Sequence, residues 1–316
     1  APNAGNGTPP LVDMGAYETQ ATTVLYVDAQ ATGTESGYSW DDAFTMLQDA
    51  LAVANASGVQ DYEIWVAEGF YYPDEGQTVA EDDRTVSFRI ERDGLQLFGG
   101  FAGDESHREA RDPWAHVTVL SGDIGQDDMD EDGNGIAETW EDIQGGNAHH
   151  VLWLDGTTYG PLSRKTWIDG FTVTAGQAAA PPTHDDGAGV YCESLLDGHA
   201  CSPTLTRLRI TGNQAVRGGG LYVFSAGDST SRPLLVNAVL SGNHAEYGGG
   251  LFSGSHDFSY RALTQPELIN VTLYGNSADE GGALYNQGFL PCGESGCSLT
   301  QSILTNVVLW GNHAPI

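Results

Sequence analysis

The chain has 316 residues with 42 Gly, only 17% charged residues and a formal net charge of −31, from 12 Lys and Arg against 43 Asp and Glu. This length can bury a large core in one elongated domain or two compact ones, and the composition is typical of a turn-rich, mostly β protein. The acidic balance argues against nucleic acid as a partner, because phosphate binding needs clustered Lys and Arg. No apolar run approaches the ~18 residues that span a bilayer, so we expect no membrane insertion.

Residues 21–62 predict an N-terminal strand and one capping helix. Ser39 precedes the run WDDAFTMLQDALAVANAS and has Asp42 three positions later, as in a capping box. One face of this helix carries the apolar residues Ala43, Phe44, Leu47 and Leu51. A single amphipathic helix beside stacked strands suits an end cap that covers the first turn of the core. Five strand-like runs follow it: EIWVAEG, TVSFRI, LQLFGGF, VTVLSGD and HHVLWLDG.

An acidic loop, residues 123–147, separates the last two of these runs. Within it, DEDGNGIAETWE matches the calcium-loop pattern D-x-[DN]-x-[DN]-G-x5-E. The predicted Ca²⁺ ligands are side-chain oxygens of Asp130, Asp132 and Asn134, the carbonyl of Ile136, Glu138 directly or through water, and a bidentate Glu141. Asp127 and Asp128, just upstream, add negative potential or replacement ligands. No helices flank the loop, so we predict a static clip rather than a sensor; the alternative is a disordered acidic loop.

The clearest repeats fill residues 166–316. Four segments share one phrase: TLTRLRITGNQAVRGGGLY, LLVNAVLSGNHAEYGGGLF, ELINVTLYGNSADEGGALY and ILTNVVLWGNHAPI. Alternating apolar residues such as Leu208 and Ile210 predict a short strand with one buried face. A Gly-Asn turn follows, and then a second strand that opens with Gly-Gly. One such unit cannot bury its apolar face alone, so the repeats predict a stack of parallel, in-register strands.

One asparagine position recurs through the repeats and predicts a side-chain ladder. The residues at this position are Asn213, Asn243, Asn276 and Asn312, at intervals of 30, 33 and 36. A degenerate earlier copy places Gly176 there. Stacked strands bring equivalent residues about 4.8 Å apart, which lets their amides share hydrogen bonds.

The four cysteines fall in two close pairs, Cys192 with Cys201 and Cys292 with Cys297. Neither pair has the C-x2-C spacing of a zinc site or a redox centre. Two local disulfides are the simplest interpretation and indicate an oxidising compartment; reduced, buried thiols are the alternative.

Several long phrases occur together in one order: LYVDAQATGTESGYSWDDAFTMLQDALAVA, EIWVAEGFYYP, LQLFGGFAGDESHREARDPWAHVTVLSGD and the GN…GGGLY repeats. They resemble bacterial secreted right-handed β-helix proteins, the choice-of-anchor-type surface proteins related to the polymorphic outer-membrane protein repeats. The resemblance covers roughly residues 22–312. It implies an all-β, pectate-lyase-like fold, with residues 63–316 as a right-handed parallel β-helix (solenoid). It also implies export to the cell surface, and a structural or adhesive role without assigned chemistry.

The two ends depart from that family's pattern. NAGNGTPPLVDMGAYE, residues 3–18, resembles the phrase that closes such domains, so residues 1–20 are interpreted as the closing segment of a preceding or neighbouring module. LWGNHAPI stops in mid-repeat. Either a tandem array or a subunit that docks on its neighbour's open end fits this, and both predict head-to-tail self-association. A chain boundary unrelated to modules is the third interpretation.

We expect a non-catalytic module with no catalytic residues. A carbohydrate-binding adhesin for surface glycans is one alternative, and its candidate exposed aromatics are Tyr247, Phe258, Tyr260 and Tyr285.

A polysaccharide lyase or hydrolase acting on acidic glycans is a weaker alternative. The basic residues of the repeat strands and turns are Arg207, Arg209 and Arg217, and we expect the acidic loop to lie several repeats away from Arg207 and Arg209. For hydrolysis, which needs paired carboxylates across a cleft, the best local pair is Asp185 and Asp186, beside His184.

Overall fold

The computed structural model describes residues 22–56, 61–178, 185–256, 261–288 and 298–315. Within these residues the chain forms 28 β-strands, one α-helix and two short 3-10 helices, Arg108–Ala110 and Trp140–Asp142. The protein is therefore all-β, and each of the five strand-like runs of the N-terminal half contains a strand.

The elements in chain order are β1 Thr23–Val27, α1 Leu47–Ala56, β2 Tyr62–Ala67, β3 Gly69–Tyr71, β4 Phe88–Ile90, β5 Gln96–Phe101, β6 Thr118–Ser121, β7 Leu152–Asp155, β8 Trp167–Asp169, β9 Phe171–Thr174, β10 Gln177–Ala178, β11 Val190–Ser194, β12 Thr204–Thr206, β13 Arg209–Thr211, β14 Gln214–Ala215, β15 Leu221–Ala226, β16 Thr230–Ser231, β17 Leu234–Val236, β18 Val239–Ser241, β19 His244–Tyr247, β20 Leu251–His256, β21 Leu263–Thr264, β22 Glu267–Ile269, β23 Thr272–Tyr274, β24 Ser277–Glu280, β25 Leu284–Gln287, β26 Leu299–Thr300, β27 Ile303–Thr305 and β28 Val308–Trp310.

Three larger parallel sheets and two small ones organise these strands. The first sheet has the order β1-β2-β5-β8-β12-β17-β22-β27, the second β28-β23-β18-β13-β9-β6-β3, and the third β25-β20-β15-β11-β7-β4. The small sheets are β10-β14-β19-β24 and β16-β21-β26. The chain visits the sheets in turn and returns to each beside its previous strand, an arrangement compatible with a parallel β-helix.

Register follows the repeat of the sequence. Leu205, Leu235, Leu268 and Leu304 are successive partners in the first sheet, as are Ile210, Leu240, Leu273 and Leu309 in the second. The inward-facing leucines, isoleucines and valines join one continuous buried cluster that runs from Leu25 to Leu273. Each repeat thus closes its core only by stacking on its neighbours.

The helix begins later than the sequence predicts. Its first residue is Leu47, and Ser39 lies in a turn where its Oγ accepts the Asp42 N–H at 3.2 Å. The predicted start is wrong because Phe44 is held in a bridge to the first strand, where its N–H donates to the Tyr26 carbonyl at 2.9 Å. From Leu47 onward the helix packs on β1, β2 and β4, which lie at the N-terminal end of the stacked strands.

The repeated asparagines form a continuous amide ladder. Asn213 donates to Asn243, Asn243 to Asn276 and Asn276 to Asn312, each through Nδ2 to Oδ1 at 2.9 Å. Asn213 Oδ1 in turn accepts the Gly176 N–H at 2.9 Å. A second, exposed ladder joins Asn306 to Asn270 and Asn270 to Asn237 at the turns between the first and second sheets.

One predicted disulfide is confirmed. Cys192 of β11 is bonded to Cys201 across a Cα–Cα distance of 5.8 Å, and both residues are fully buried. The second pair, Cys292 and Cys297, and the N-terminal segment 1–20 lie outside the described residues. Among the described residues no helix is long and apolar enough to cross a membrane.

Candidate metal centre

The acidic loop is ordered against the outer face of the second sheet. The Ala137 carbonyl accepts the Thr174 hydroxyl and the Glu138 carbonyl accepts the Thr211 hydroxyl, both at 2.9 Å. The Trp140 N–H donates to the Gly242 carbonyl at 3.0 Å. The loop therefore crosses three adjacent strands, β9, β13 and β18, instead of extending into solvent.

Two turn glycines make this close approach possible. A Cβ added at Gly212 would lie 2.1 Å from the Ala137 carbonyl oxygen, and one at Gly242 would lie 2.0 Å from that of Glu138. The equivalent Gly275 of the next repeat has nothing within 4 Å of such an atom, although its φ of 62° is nearly that of Gly242 at 61°. The Gly-Asn turns thus supply left-handed backbone in every repeat. In two repeats, the missing side chain of the glycine also leaves room for the backbone of the acidic loop.

The predicted calcium loop has a tight backbone arranged around its first residue. The Asp130 carboxylate accepts the N–H groups of Gly133, Asn134 and Gly135 at 2.8, 3.0 and 2.9 Å. These backbone hydrogen bonds hold the pKa of Asp130 below its ordinary value. Gly135 has a φ of 69°, which provides the sharp bend that the pattern requires.

The remaining predicted ligands are spread along the loop. Glu138 accepts the Asn134 Nδ2 at 3.0 Å and Arg209 Nη2 at 3.4 Å, while Ile136 is buried. Glu141 is exposed on the 3-10 helix Trp140–Asp142. Asn134 also donates to Asp132 at 2.9 Å. Calcium binding by this set of six stays a prediction.

A tighter group of carboxylates lies at the start of the loop. Among the described residues, the one set of three acidic, His or Cys side chains with ligand atoms within 4.8 Å of one another is Asp123, Asp127 and Asp128. Asp123 accepts the N–H groups of Asp127 and Asp128 at 3.0 and 3.3 Å, which fixes the cluster. The sequence pattern indicates Asp127 and Asp128 as replacement ligands but not Asp123, which follows Gly122 two residues after the end of β6.

Electrostatics of this cluster favour a bound cation. Burial raises the pKa of Asp128 to about 7. The negative charge of Asp123 also raises this pKa, whereas hydrogen bonds from Gln144 and Asn147 lower it. No ion pair found in the described part of the chain involves any of the three carboxylates. Close carboxylates without a counter-charge repel one another unless protons or a metal ion neutralise them.

The cluster also fits a hard cation sterically. A cavity of about 170 Å³ is lined by Asp123 and Asp128 of the cluster and by Asp130 of the predicted calcium loop. Asn147 is fully buried beside Asp128, donates to it at 2.8 Å, and has an Oδ1 atom without a hydrogen-bond partner. Carboxylate and amide oxygens are the ligands that Ca²⁺ prefers. The geometry thus offers Asp123, Asp127 and Asp128 as a second candidate ligand set beside the predicted one.

No family model, no curated protein and no solved structure matches the chain.

The structure corrects one step of the argument about catalysis. The acidic loop was expected several repeats from Arg207 and Arg209, and this is wrong, because its Glu138 pairs with Arg209. The docking of the loop across β13 causes the difference. Arg207 in turn binds the buried Asp169 through Nε at 3.1 Å and Nη2 at 2.8 Å.

The other candidate catalytic and binding groups have structural partners. Asp186 forms a bidentate pair with Arg217 at 2.6 and 2.8 Å, while His184 lies outside the described residues. Tyr285 ends a ladder of nearly parallel rings in the third sheet, formed by Tyr191, Tyr222, Phe252 and Tyr285 with centroids 5.1, 5.3 and 5.9 Å apart. Their faces cover one another, so this row packs the sheet rather than presenting flat faces to a sugar. Tyr247 contacts Tyr285 at 5.5 Å, and Phe258 and Tyr260 lie outside the described residues.

Proposed function

We propose that this chain is a non-catalytic structural module of an extracellular right-handed parallel β-helix that continues head-to-tail into a filament or tandem array. The parallel, in-register stacking of the repeats supports the solenoid. The resemblance of its phrases to secreted β-helix surface proteins supports the handedness and the surface role. The buried disulfide Cys192–Cys201 is typical of an oxidising compartment outside the cytosol.

The observation that carries the proposal is the stacking itself, in which each repeat buries the apolar face of its neighbour and the last described repeat leaves such a face exposed. Leu304 and Leu309 are 42% and 50% exposed, whereas their partners Leu268 and Leu273 in the preceding repeat are fully buried. The strands that carry them, β27 and β28, are paired on one side only within the described residues. Exposed backbone edges next to an apolar face are a template for another strand.

A further repeat-like segment would complete both features at once. It would bury the leucines and pair the free strand edges in the register that the preceding repeats already use. A contact between one end of a module and the opposite end of the next does not close on itself, so it generates a linear array.

Association can be tested by sedimentation velocity and negative-stain electron microscopy over a series of concentrations. We expect the wild-type chain to form rods one module wide that lengthen with concentration. Leu309→Glu, at an already exposed position, should leave the secondary structure intact and prevent end-to-end association. Leu196→Glu is the matched control, because Leu196 is 51% exposed but lies on a loop after β11.

Short separate particles at every concentration would count against head-to-tail assembly. So would aggregates that Leu309→Glu leaves unchanged, because they would not depend on the open core.

We further propose that Ca²⁺ stabilises the acidic loop and, through it, the second sheet. Calorimetric titration and thermal melting with Ca²⁺ or a chelator test this, and Mg²⁺ is the control for charge alone. Asp132→Ala removes a ligand only from the set of the sequence pattern, whereas Asp127→Ala removes one only from the cluster at the start of the loop. The variant that loses Ca²⁺ binding identifies the set that holds the ion, and an unchanged melting temperature with no bound Ca²⁺ in the wild type would refute the proposal.

A further inference from the structure

A groove on the outer face of the second sheet is separate from the acidic cluster. It is lined by Trp114 and Val117 of the segment that precedes β6 and by Asn134 and Ile136 of the acidic loop. Its floor includes Phe171 and the arginines of the neighbouring repeat, and its volume is about 490 Å³. This volume is large enough for a ring-sized ligand.

The groove contains a local excess of positive charge. Arg207 and Arg209 line it, and none of its lining residues is acidic. The nearly fully buried Asp169 is shared by two guanidinium groups, those of Arg207 and Arg111, so one positive charge remains in excess. In a chain of net charge −31 with only 12 Lys and Arg, such an excess is uncommon, although Arg164 and Arg232 share Glu267 in the same way.

The guanidinium groups retain donors that face no protein acceptor. Arg207 uses Nε and Nη2 for Asp169, and Arg209 contacts Glu138 only through Nη2 at 3.4 Å. The Nη1 groups of both residues have no hydrogen bond in the described part of the chain. Arginine donors arranged in pairs suit the two oxygens of a carboxylate.

Arg207 occupies a backbone position that the fold elsewhere gives to other residue types. Its φ is 51°, in the left-handed region, and the equivalent turn residues of the neighbouring repeats are Gly170, Asn237, Asn270 and Asn306. Glycine and asparagine tolerate this conformation, whereas the backbone of an arginine is strained in it. Arg207 also interrupts the exposed asparagine ladder, which runs from Asn306 through Asn270 to Asn237. Strain kept at one position of a regular repeat points to a function for that side chain.

Trp114 provides a flat apolar surface at the rim. It is 79% exposed, and its ring makes no aromatic contact within the described residues. A large aromatic residue that is left in water beside a groove is typical of a binding surface. Next to the arginines, Asn237 adds an amide whose Nδ2 is not used by the ladder.

We propose that this groove binds a saccharide unit that carries a carboxylate. The carboxylate contacts Arg207 and Arg209, the apolar face of the sugar ring stacks on Trp114, and Asn237 donates to a hydroxyl group. A peptide is a poorer fit, because the floor is the face of a sheet whose backbone groups are already paired, and strand addition requires an edge. The inference is independent of the structural role proposed above and stands or falls without it.

Binding can be measured by calorimetry with a glucuronate-containing trisaccharide and, as its uncharged counterpart, the same trisaccharide with glucose at that position. The titrations are run without Ca²⁺, so that no ion bridges the sugar to the acidic loop, and a melting curve verifies that the protein is folded. We expect weak binding of the charged trisaccharide, with a Kd on the order of 0.1–1 mM, and no binding of the neutral one.

Arg207→Asn is the most informative variant. It restores the residue type of the next repeats and leaves Asp169 paired with Arg111, so it should stay folded while it weakens binding at least about tenfold. Trp114→Ala should weaken binding by a similar factor. Arg232→Gln and Trp310→Ala are matched controls, since Arg232 pairs with Glu267 and Trp310 lies on β28, both away from the groove.

Three results would overturn the proposal. The first is no binding of the charged trisaccharide by the wild-type chain. The second is binding that Arg207→Asn and Trp114→Ala leave unchanged. The third is equal binding of a short polyglutamate peptide, which would show an unspecific attraction for anions. A loss of folding in Arg207→Asn with normal binding in Trp114→Ala would instead assign the arginine to structure.

Discussion

Replacement of Asn243 by alanine tests the energetic role of the buried amide ladder. Asn243 is fully buried, and its side chain takes part in hydrogen bonds on both sides. Its Nδ2 donates to the carbonyl of Ile210 and to Asn276 Oδ1, each at 2.9 Å. Its Oδ1 accepts the backbone N–H of Asn213 at 3.1 Å and the side-chain amide of Asn213 at 2.9 Å.

The magnitude follows from the groups that lose their partners. Asn213 Nδ2 keeps two carbonyl acceptors, Val173 and Thr211, and Asn276 Oδ1 keeps the backbone N–H of Asn243. The backbone N–H of Asn213 is left buried without an acceptor, which costs about 1–3 kcal/mol, and each further lost bond costs about 1 kcal/mol. Three further bonds are lost, so we expect Asn243→Ala to lower the free energy of unfolding by about 4–6 kcal/mol, a large share of the stability of a typical domain.

The assay is urea unfolding followed by far-ultraviolet circular dichroism. The matched control is Asn270→Gly, which removes an amide from the exposed ladder at a φ of 55° that glycine adopts freely, and should change stability by less than about 1 kcal/mol. If Asn243→Ala does not fold, the partly buried Asn312→Ala should still lower stability measurably, because Asn312 also bonds to Asn276 and Leu273. A free energy of unfolding for Asn243→Ala within about 1 kcal/mol of wild type would refute the reasoning.

Three further predictions concern the loop, a buried ion pair and the disulfide. Gly242→Ala should destabilise the protein by at least about 1 kcal/mol more than Gly275→Ala, because the two share a similar φ but only Gly242 underlies the acidic loop; equal melting temperatures would contradict this seating. Burial raises the pKa of Asp186 to about 6, so folding favours its protonated form, and its contribution to stability should decline as the pH rises from about 4 to about 6. Asp186→Asn should flatten that part of the stability profile, and an unchanged profile would show that another group titrates. Replacement of Cys192 and Cys201 together by alanine should cost about 2–3 kcal/mol for a bridge of sequence separation 9, measured by urea unfolding against the oxidised wild type.

The periodic part of the protein follows from local sequence. Similar phrases recur every 30 to 36 residues, and similar units stack with equivalent residues in register. The register of Leu240 on Ile210 and the ladder of Asn213, Asn243 and Asn276 are consequences of that one rule. Where a phrase is less regular, prediction is less accurate: the helix begins at Leu47 because a bridge of Phe44 to the first strand competes with the first helical turn.

The site required the tertiary structure. The sequence by itself determined that a loop with the calcium pattern lies between two strands and that Arg207 and Arg209 belong to one repeat. It did not determine that the loop lies across β13 or that Glu138 reaches Arg209, a pair 71 residues apart. An inserted loop has no period, so its path depends on which surface accepts its backbone, and here that surface is provided by Gly212 and Gly242. The same docking makes the acidic loop part of the groove that Trp114 also lines, and so the tertiary structure alone places the arginines in a cavity.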